Sequence, residues 1–134
     1  MFKERPLIAV VDDEEPIRKA LSRLLRFAGL RVEAFPSGTE FLESLRSHTP
    51  DCLVLDLHMP EIDGFEVESQ LAEAGFRIPI VVITGRDTAK DRERMTACGV
   101  AAFFHKPLDG PVLLAAINAA TKPMCNTASR ESDN

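Results

Sequence analysis

The chain has 134 residues, of which 45% are hydrophobic and 28% are charged, and its formal net charge is -5. This size suits one domain with a packed core, and the acidic balance argues against direct nucleic-acid binding, which usually needs a basic surface. Apolar runs stay well below the roughly 20 residues of a membrane span, so we expect no membrane partner. The three cysteines lack C-x-x-C spacing, which indicates reduced thiols and predicts a cytoplasmic protein.

Strand-like and helix-like segments alternate along residues 1–121. In chain order the sequence predicts strands over residues 7–11, 31–35, 52–56, 78–83 and 101–104, each followed by a helix. Pro16, Ser37 and Asp109 mark helix starts, and Gly29, Gly75 and Gly99 mark helix ends. Right-handed crossovers then predict an α/β fold, a doubly wound parallel sheet of five strands with helices on both faces. Residues 122–134 are polar without apolar periodicity, which predicts a tail or the start of a linker.

Polar residues stand where the predicted strands end. Asp12 and Asp13 follow the first strand, Asp56 ends the third, Thr84 ends the fourth, and Lys106 lies two residues beyond the fifth. Ligands of open α/β sheets bind beyond these carboxyl ends. Carboxylates so close repel one another and call for a divalent cation. A cation, an aspartate nucleophile and a lysine together can move a phosphoryl group onto a side chain.

Five short motifs contain or adjoin these polar residues. They are Val11-Asp12-Asp13, Leu55-Asp56-Leu57-His58-Met59-Pro60, Asp63-Gly64, Thr84-Gly85 and Lys106-Pro107. In this order and spacing the chain resembles the receiver domain of two-component response regulators over about residues 7–121. The Leu-His-Met-Pro loop and Phe103 are similar to the subfamily that carries a helix-turn-helix output. The resemblance implies a flavodoxin-like sheet of order 2-1-3-4-5 and a cis peptide bond before Pro107.

The resemblance also implies roles for the residues at the strand ends. Asp56 would accept a phosphoryl group from the phosphohistidine of a sensor histidine kinase or phosphotransfer protein. Asp13, Asp56 and the backbone carbonyl of His58 would bind Mg²⁺ directly, and Asp12 would bind it mostly through water. Lys106 would pair with a phosphoryl oxygen. The domain would be a phosphoacceptor with intrinsic dephosphorylation, and not an independent enzyme.

A switch is implied as well. Thr84 would donate a hydrogen bond to the phosphoryl group, and Phe103 would either turn inward in response or serve only as a core aromatic. His58 and Arg86 would tune the hydrolysis of the acyl phosphate. The output face would comprise the fourth helix, the fifth strand and the fifth helix.

The fifth helix is apolar or neutral nearly all round, whereas a surface helix usually has a charged face. We therefore predict phosphorylation-enhanced homodimerisation through the output face, with Arg92, Glu93 and Arg94 available for ion pairs across it. Burial against another domain and a merely alanine-rich surface are the alternatives.

Three other functions compete with the receiver interpretation. An aspartate-nucleophile phosphatase needs a second acid two residues after the nucleophile, where this chain has His58. A flavin-binding module needs a Ser/Thr/Gly-rich phosphate loop, and Asp12-Asp13-Glu14-Glu15 would repel a phosphate there. A pseudo-receiver would keep the fold and lose the chemistry. The presence of all five site residues argues against it, namely Asp12, Asp13, Asp56, Thr84 and Lys106. We interpret Glu14 and Glu15 as acids at a helix start that complement the helix dipole.

Overall fold

The computed structural model describes residues 5–86 and 88–122. Five parallel strands form one sheet of order β2-β1-β3-β4-β5, which confirms the predicted fold and strand order. The elements are β1 (Leu7–Val11), α1 (Glu15–Phe27), β2 (Arg31–Phe35), α2 (Gly38–Ser44), β3 (Cys52–Asp56), α3 (Gly64–Glu73), β4 (Ile80–Thr84), α4 (Ala89–Ala97), β5 (Ala102–His105) and α5 (Gly110–Thr121). Among the described residues, no helix has both the length and the apolarity to cross a bilayer.

Helices cover both faces of the sheet. On one face, side chains of α1 and α5 such as Leu25 and Ile117 pack on alternate strand residues. On the other face, Phe41 of α2, Val67 of α3 and Met95 of α4 pack on the remaining strand residues. Because successive strand residues point to opposite faces, the three central strands must be apolar throughout, and all their residues except the terminal Asp56 and Thr84 are apolar.

The predicted helix signals function as expected. Ser37, Asp63, Thr88 and Asp109 are N-caps whose side chains accept a hydrogen bond from a backbone N–H of the first turn. The helix-ending glycines at 29, 75 and 99 have positive φ, which glycine adopts at low cost. These local signals place each helix, and so each connecting loop, at the intended edge of the sheet.

The bounds of two strands, β4 and β5, differ from the prediction. β4 begins at Ile80 instead of residue 78, since Pro79 has no N–H to donate to the sheet. β5 begins and ends one residue later than predicted, because Thr84 pairs with His105. The shift places Lys106 directly after β5. The Lys106–Pro107 peptide bond is cis, as the resemblance implied.

Candidate functional site

Three carboxylates meet at the carboxyl edge of the two central strands. β1 and β3 pair in register up to Val11 and Leu55, so Asp12 and Asp56 follow at the same level. Carboxylate oxygens of Asp12, Asp13 and Asp56 all lie within 4.8 Å of one another. Asp12 and Asp56 are buried, and Asp13 is exposed. The structure therefore brings the predicted acidic residues together, with an opening toward solvent on the Asp13 side.

Lys106 reaches this cluster from the fifth strand. Its backbone N–H donates to the carbonyl of Thr84 at 2.8 Å, which holds the residue beside the end of β4. Its Nζ lies 2.9 Å from Oδ2 of Asp12, 3.1 Å from Oε1 of Glu14 and 3.8 Å from Oδ1 of Asp56. Burial alone would lower the pKa of Lys106, but the contacts with these carboxylates outweigh it and raise the pKa. Lys106 therefore stays an ammonium in the pocket.

Asp56 is the most perturbed acid of the cluster. Burial, followed by repulsion from Asp12, raises the pKa of Asp56 from 3.8 to about 7. The charge of Lys106 and a hydrogen bond from the backbone N–H of His58 act in the opposite direction. The Asp56 carboxylate is thus costly to ionise in the metal-free pocket, and a bound cation would lower that cost.

The cluster fits a hard divalent cation. The Oδ2 atom of Asp12 is buried, and its partner among the described residues is the Lys106 ammonium 2.9 Å away. Such an oxygen, beside two more carboxylates, offers the donor atoms that Mg²⁺ prefers. The imidazole of His58 instead contacts α4, with Nε2 at 3.2 Å from Oδ2 of Asp91. Its backbone carbonyl as a metal ligand stays a prediction.

The pocket is an open cleft of about 420 Å³ at this edge of the sheet. Its lining includes Asp13, Asp56, His58, Arg86 and Lys106. The Asp56 carboxylate therefore lies at an opening toward solvent, which both residues predicted to tune hydrolysis also line.

Gly64 has a different role from the one its motif indicates. The Asp63-Gly64 pair is typical of a turn that needs positive φ, but Gly64 is not among the residues with positive φ. A Cβ at Gly64 would lie 2.8 Å from the backbone oxygen of Asp56 and 2.9 Å from Cα of Leu57. Glycine is required because α3 begins against the backbone at the end of β3. This close approach fixes the position of Asp56.

Thr84 and Phe103 lie on the neighbouring strands β4 and β5 but not opposite each other, because Thr84 pairs with His105 and Phe103 pairs with Val82. The Thr84 hydroxyl donates to the carbonyl of Arg86 at 2.9 Å and accepts from the Arg86 N–H at 3.1 Å. Phe103 is half-buried, and the guanidinium carbon of Arg92 lies 4.5 Å from its ring centroid. The predicted switch residues are therefore held by the β4–α4 loop and by α4.

Glu14 is the site residue whose importance the sequence interpretation missed. It is the N-cap of α1, yet its side chain makes no capping hydrogen bond and instead contacts Lys106. The helix-start interpretation holds for Glu15, which pairs with Lys19 at 3.4 Å within α1. Its position could have indicated this role. Glu14 directly follows Asp12 and Asp13, and a residue at the N-cap of α1 still lies at the carboxyl edge of the sheet.

Comparison with known proteins agrees with this geometry. The chain matches the response regulator receiver domain family over residues 8–118. It is 39% identical over 122 residues to response regulator protein TmoT of Ectopseudomonas mendocina, covering 91% of this chain and 56% of TmoT. It is 42% identical over 112 residues to response regulator MprA of Mycobacterium ulcerans, covering 84% of this chain and 48% of MprA.

Among solved structures, a response regulator receiver protein from Burkholderia phymatum is 37% identical, with a TM-score of 0.78. The alignment covers 87% of this chain and 95% of that structure. The chain spans about half the length of the curated relatives it matches. The chain therefore belongs to the response regulator receiver domain family of two-component systems.

Proposed function

We propose that this receiver domain accepts a phosphoryl group on Asp56 from the phosphohistidine of a sensor histidine kinase or phosphotransfer protein. The observation that carries the proposal is the buried Asp56 carboxylate, which lies within 4.8 Å of two further carboxylates and 3.8 Å from Lys106 Nζ. Acids in such surroundings are candidates for chemistry because their burial must be offset by a functional partner. Asp12, Asp13, Asp56 and the backbone carbonyl of His58 would hold Mg²⁺.

The reaction is a displacement at phosphorus. A carboxylate oxygen of Asp56 attacks the phosphorus, the O–P bond forms as the P–N bond breaks, and the electron pair returns to the imidazole of the donor. When bound, Mg²⁺ would neutralise charge on the transferred phosphoryl oxygens. Lys106 pairs with one of these oxygens, and the product is an acyl phosphate.

Thr84 then responds to the new group. Its hydroxyl exchanges the Arg86 carbonyl for a phosphoryl oxygen, so the β4–α4 loop loses a 2.9 Å hydrogen bond. Because this contact exists only in the phosphorylated state, it favours the active conformation. Phe103 and α4 are the adjoining parts that would carry the change to the output face.

Intact-mass measurement with acetyl phosphate and Mg²⁺ tests the proposal. We expect the wild type to gain one phosphoryl group and Asp56→Asn to gain none. Asp109→Asn is the matched control, since asparagine also caps a helix and Asp109 is not among the residues that line the pocket. No gain in the wild type would favour a pseudo-receiver, and steady release of phosphate at enzymatic turnover would favour a phosphatase.

We also infer that His58 and Arg86 set the rate at which the acyl phosphate hydrolyses. Both line the cleft beside Asp56. Substituting both residues should change the dephosphorylation rate measured after removal of acetyl phosphate. An unchanged rate would remove this part of the proposal.

For the phosphodonor, we propose a docking surface on α1. The lining of a groove of about 870 Å³ there includes one acid, Glu15, the 93% exposed Phe27 and four cations, namely Arg18, Lys19, Arg23 and Arg26. Arg18 also donates to the backbone oxygen of Asp12 at 2.9 Å, so the groove begins at the pocket. This cationic patch on an acidic chain favours an acidic partner.

Arg23→Glu tests this docking surface. It should slow phosphoryl transfer from a phosphorylated kinase and leave transfer from acetyl phosphate unchanged. Equal rates of transfer from the kinase to the wild type and to Arg23→Glu would contradict the docking surface.

We further propose phosphorylation-enhanced dimerisation through α4, β5 and α5. The exposed residues of α5 include the 49% exposed Val112 together with Ala115, Asn118 and Ala119, all uncharged. Within the chain Arg92 and Arg94 stack on Phe103 and Phe65, so ion pairs across a dimer would need these contacts to rearrange. Sedimentation with and without Mg²⁺ and beryllofluoride tests this, and a monomer under both conditions would reject it.

Other inferences from the sequence stay predictions. α5 ends at Thr121, but residues 123–134, the greater part of the predicted tail and Cys125 included, lie outside the described residues. We infer a cytoplasmic location from free thiols, which both described cysteines have. The helix-turn-helix output inferred from the resemblance belongs to the whole protein and is likewise a proposal.

A further inference from the structure

Glu14 and Glu15 are adjacent acids of the same type with different partners. Glu15 pairs with Lys19 one helical turn away, and both side chains are more than half exposed. Glu14 reaches across the pocket to Lys106, 92 positions away in the sequence. Since Glu14 makes no capping bond in α1, its side chain does not serve the helix that it begins.

Lys106 is shared among three carboxylates. Its Nζ contacts Asp12 at 2.9 Å and Glu14 at 3.1 Å, while Asp56 lies farther away at 3.8 Å. Glu14 approaches from the α1 side of the pocket with a side chain that is 58% exposed. The ammonium is therefore closest to Asp12 and Glu14, whereas the phosphoryl group would be carried on Asp56.

We propose that Glu14 is a positioning residue that holds the Lys106 ammonium toward α1 and competes with the phosphoryl group for it. Formation of the phosphorylated state then requires Lys106 to give up part of its contact with Glu14. This inference rests on the proposed function of Asp56 and Lys106, and it adds an opposing contact that sets the balance between the two states.

Glu14→Gln removes the competing charge and keeps the shape of the side chain. We expect beryllofluoride, a phosphoryl analogue, to bind about 1.5- to 5-fold more tightly at saturating Mg²⁺, the range of a partly exposed ion pair. Mg²⁺ alone should bind no more tightly than to the wild type, because the substitution removes a negative charge. Tighter binding of beryllofluoride without tighter binding of Mg²⁺ excludes better metal loading as the cause.

Three matched controls accompany this variant. Glu15→Gln makes the same charge change one residue away, and it should affect beryllofluoride binding less than 1.5-fold. In a Lys106→Met background, Glu14→Gln should not change beryllofluoride binding, since the ammonium for which Glu14 competes is gone. The thermal midpoint of Glu14→Gln should fall by no more than the few degrees that the loss of one partly exposed ion pair costs, which shows that the fold is intact. Binding is measured by calorimetry, because the chain has no Trp or Tyr for fluorescence.

The outcomes separate the two proposals. A wild type that binds no beryllofluoride with Mg²⁺ contradicts the proposed function. Three results overturn the role of Glu14. Beryllofluoride binds equally to the wild type and Glu14→Gln, or Glu15→Gln tightens its binding by as much as Glu14→Gln does. The third is that Glu14→Gln still tightens binding in the Lys106→Met background. If Lys106→Met binds too weakly to titrate, the NMR resonances of the Lys106 side chain decide. They must shift in unliganded Glu14→Gln and not in Glu15→Gln; any other result overturns the role.

Discussion

The two sides of the pocket are built differently. On the acidic side, all five residues of β3 are buried, and the strand ends at Asp56 against the start of α3. On the switch side, no residue of β5 is buried, and Met95 is the buried residue among the nine of α4. Both sides contribute side chains to one cleft, but only the first is enclosed by neighbouring strands and helices.

This difference matches the task that we propose for each side. Carboxylates that hold a cation must keep their spacing, and a strand that is covered on both faces provides it. A switch must change position at small cost, and elements with few buried side chains have low local stability. Arginine–aromatic contacts at 4.0 and 4.5 Å help to hold α4 in place. Such contacts are weak enough to exchange when the pocket gains a phosphoryl group.

The largest effect that we expect is a pH dependence of the free energy of unfolding, caused by Asp56 on the acidic side. The raised pKa of Asp56, about 7 against 3.8, means that the folded protein keeps a proton that the unfolded chain releases. The free energy of unfolding should therefore fall as pH rises from about 4 to 7, and level off above that. The loss is about 4 kcal/mol at most, at 1.36 kcal/mol per pH unit. Urea unfolding of metal-free wild type and Asp56→Asn at several pH values measures it.

Asp56→Asn cannot ionise, so its stability should lack this fall. The difference between the two proteins isolates Asp56 from the other titrating groups. Parallel stability curves for wild type and Asp56→Asn would contradict the raised pKa. Addition of Mg²⁺ should stabilise the wild type more at high pH than at low pH, because the cation needs the ionised carboxylate.

A smaller effect is expected from substitutions that test how tightly the two sides are packed. Leu53 of β3 is fully buried, and Leu53→Ala should lower the free energy of unfolding by about 3 kcal/mol through lost burial and a cavity. Phe103→Leu, on the half-buried strand β5, should lower it by less than about 1.5 kcal/mol. Urea unfolding measures both. Equal losses would mean that the switch side is as tightly packed as the acidic side.

The smallest effect concerns the contacts of α4. Arg94→Gln removes the guanidinium that lies 4.0 Å from the ring centroid of Phe65 and should cost about 0.5 kcal/mol. Hydrogen exchange should quicken in α4 and stay unchanged in β1 and β3. Lys19→Gln, which loses an exposed ion pair within α1, is the control. Faster exchange throughout the sheet would show that α4 does not open independently.

Local patterns in the chain were sufficient to predict most of the fold. The apolar runs, the N-caps and the glycines at helix ends act within a few residues, so they can be read in order along the chain. Ser37 and Gly29 are examples whose predicted local roles the structure confirms. Strand boundaries were less certain, because pairing between β4 and β5 depends on residues distant in the sequence.

The site divides in the same way. The sequence by itself determined which polar residues end the strands, since each strand that is covered on both faces is a run of apolar residues and the first polar residue marks its end. Only the tertiary structure decided how these residues meet: Glu14 on Lys106, Gly64 against the Asp56 backbone, and Arg92 on Phe103. Each of these contacts joins side chains or backbone from different elements, and their geometry follows from sheet register and helix packing, which no local pattern encodes.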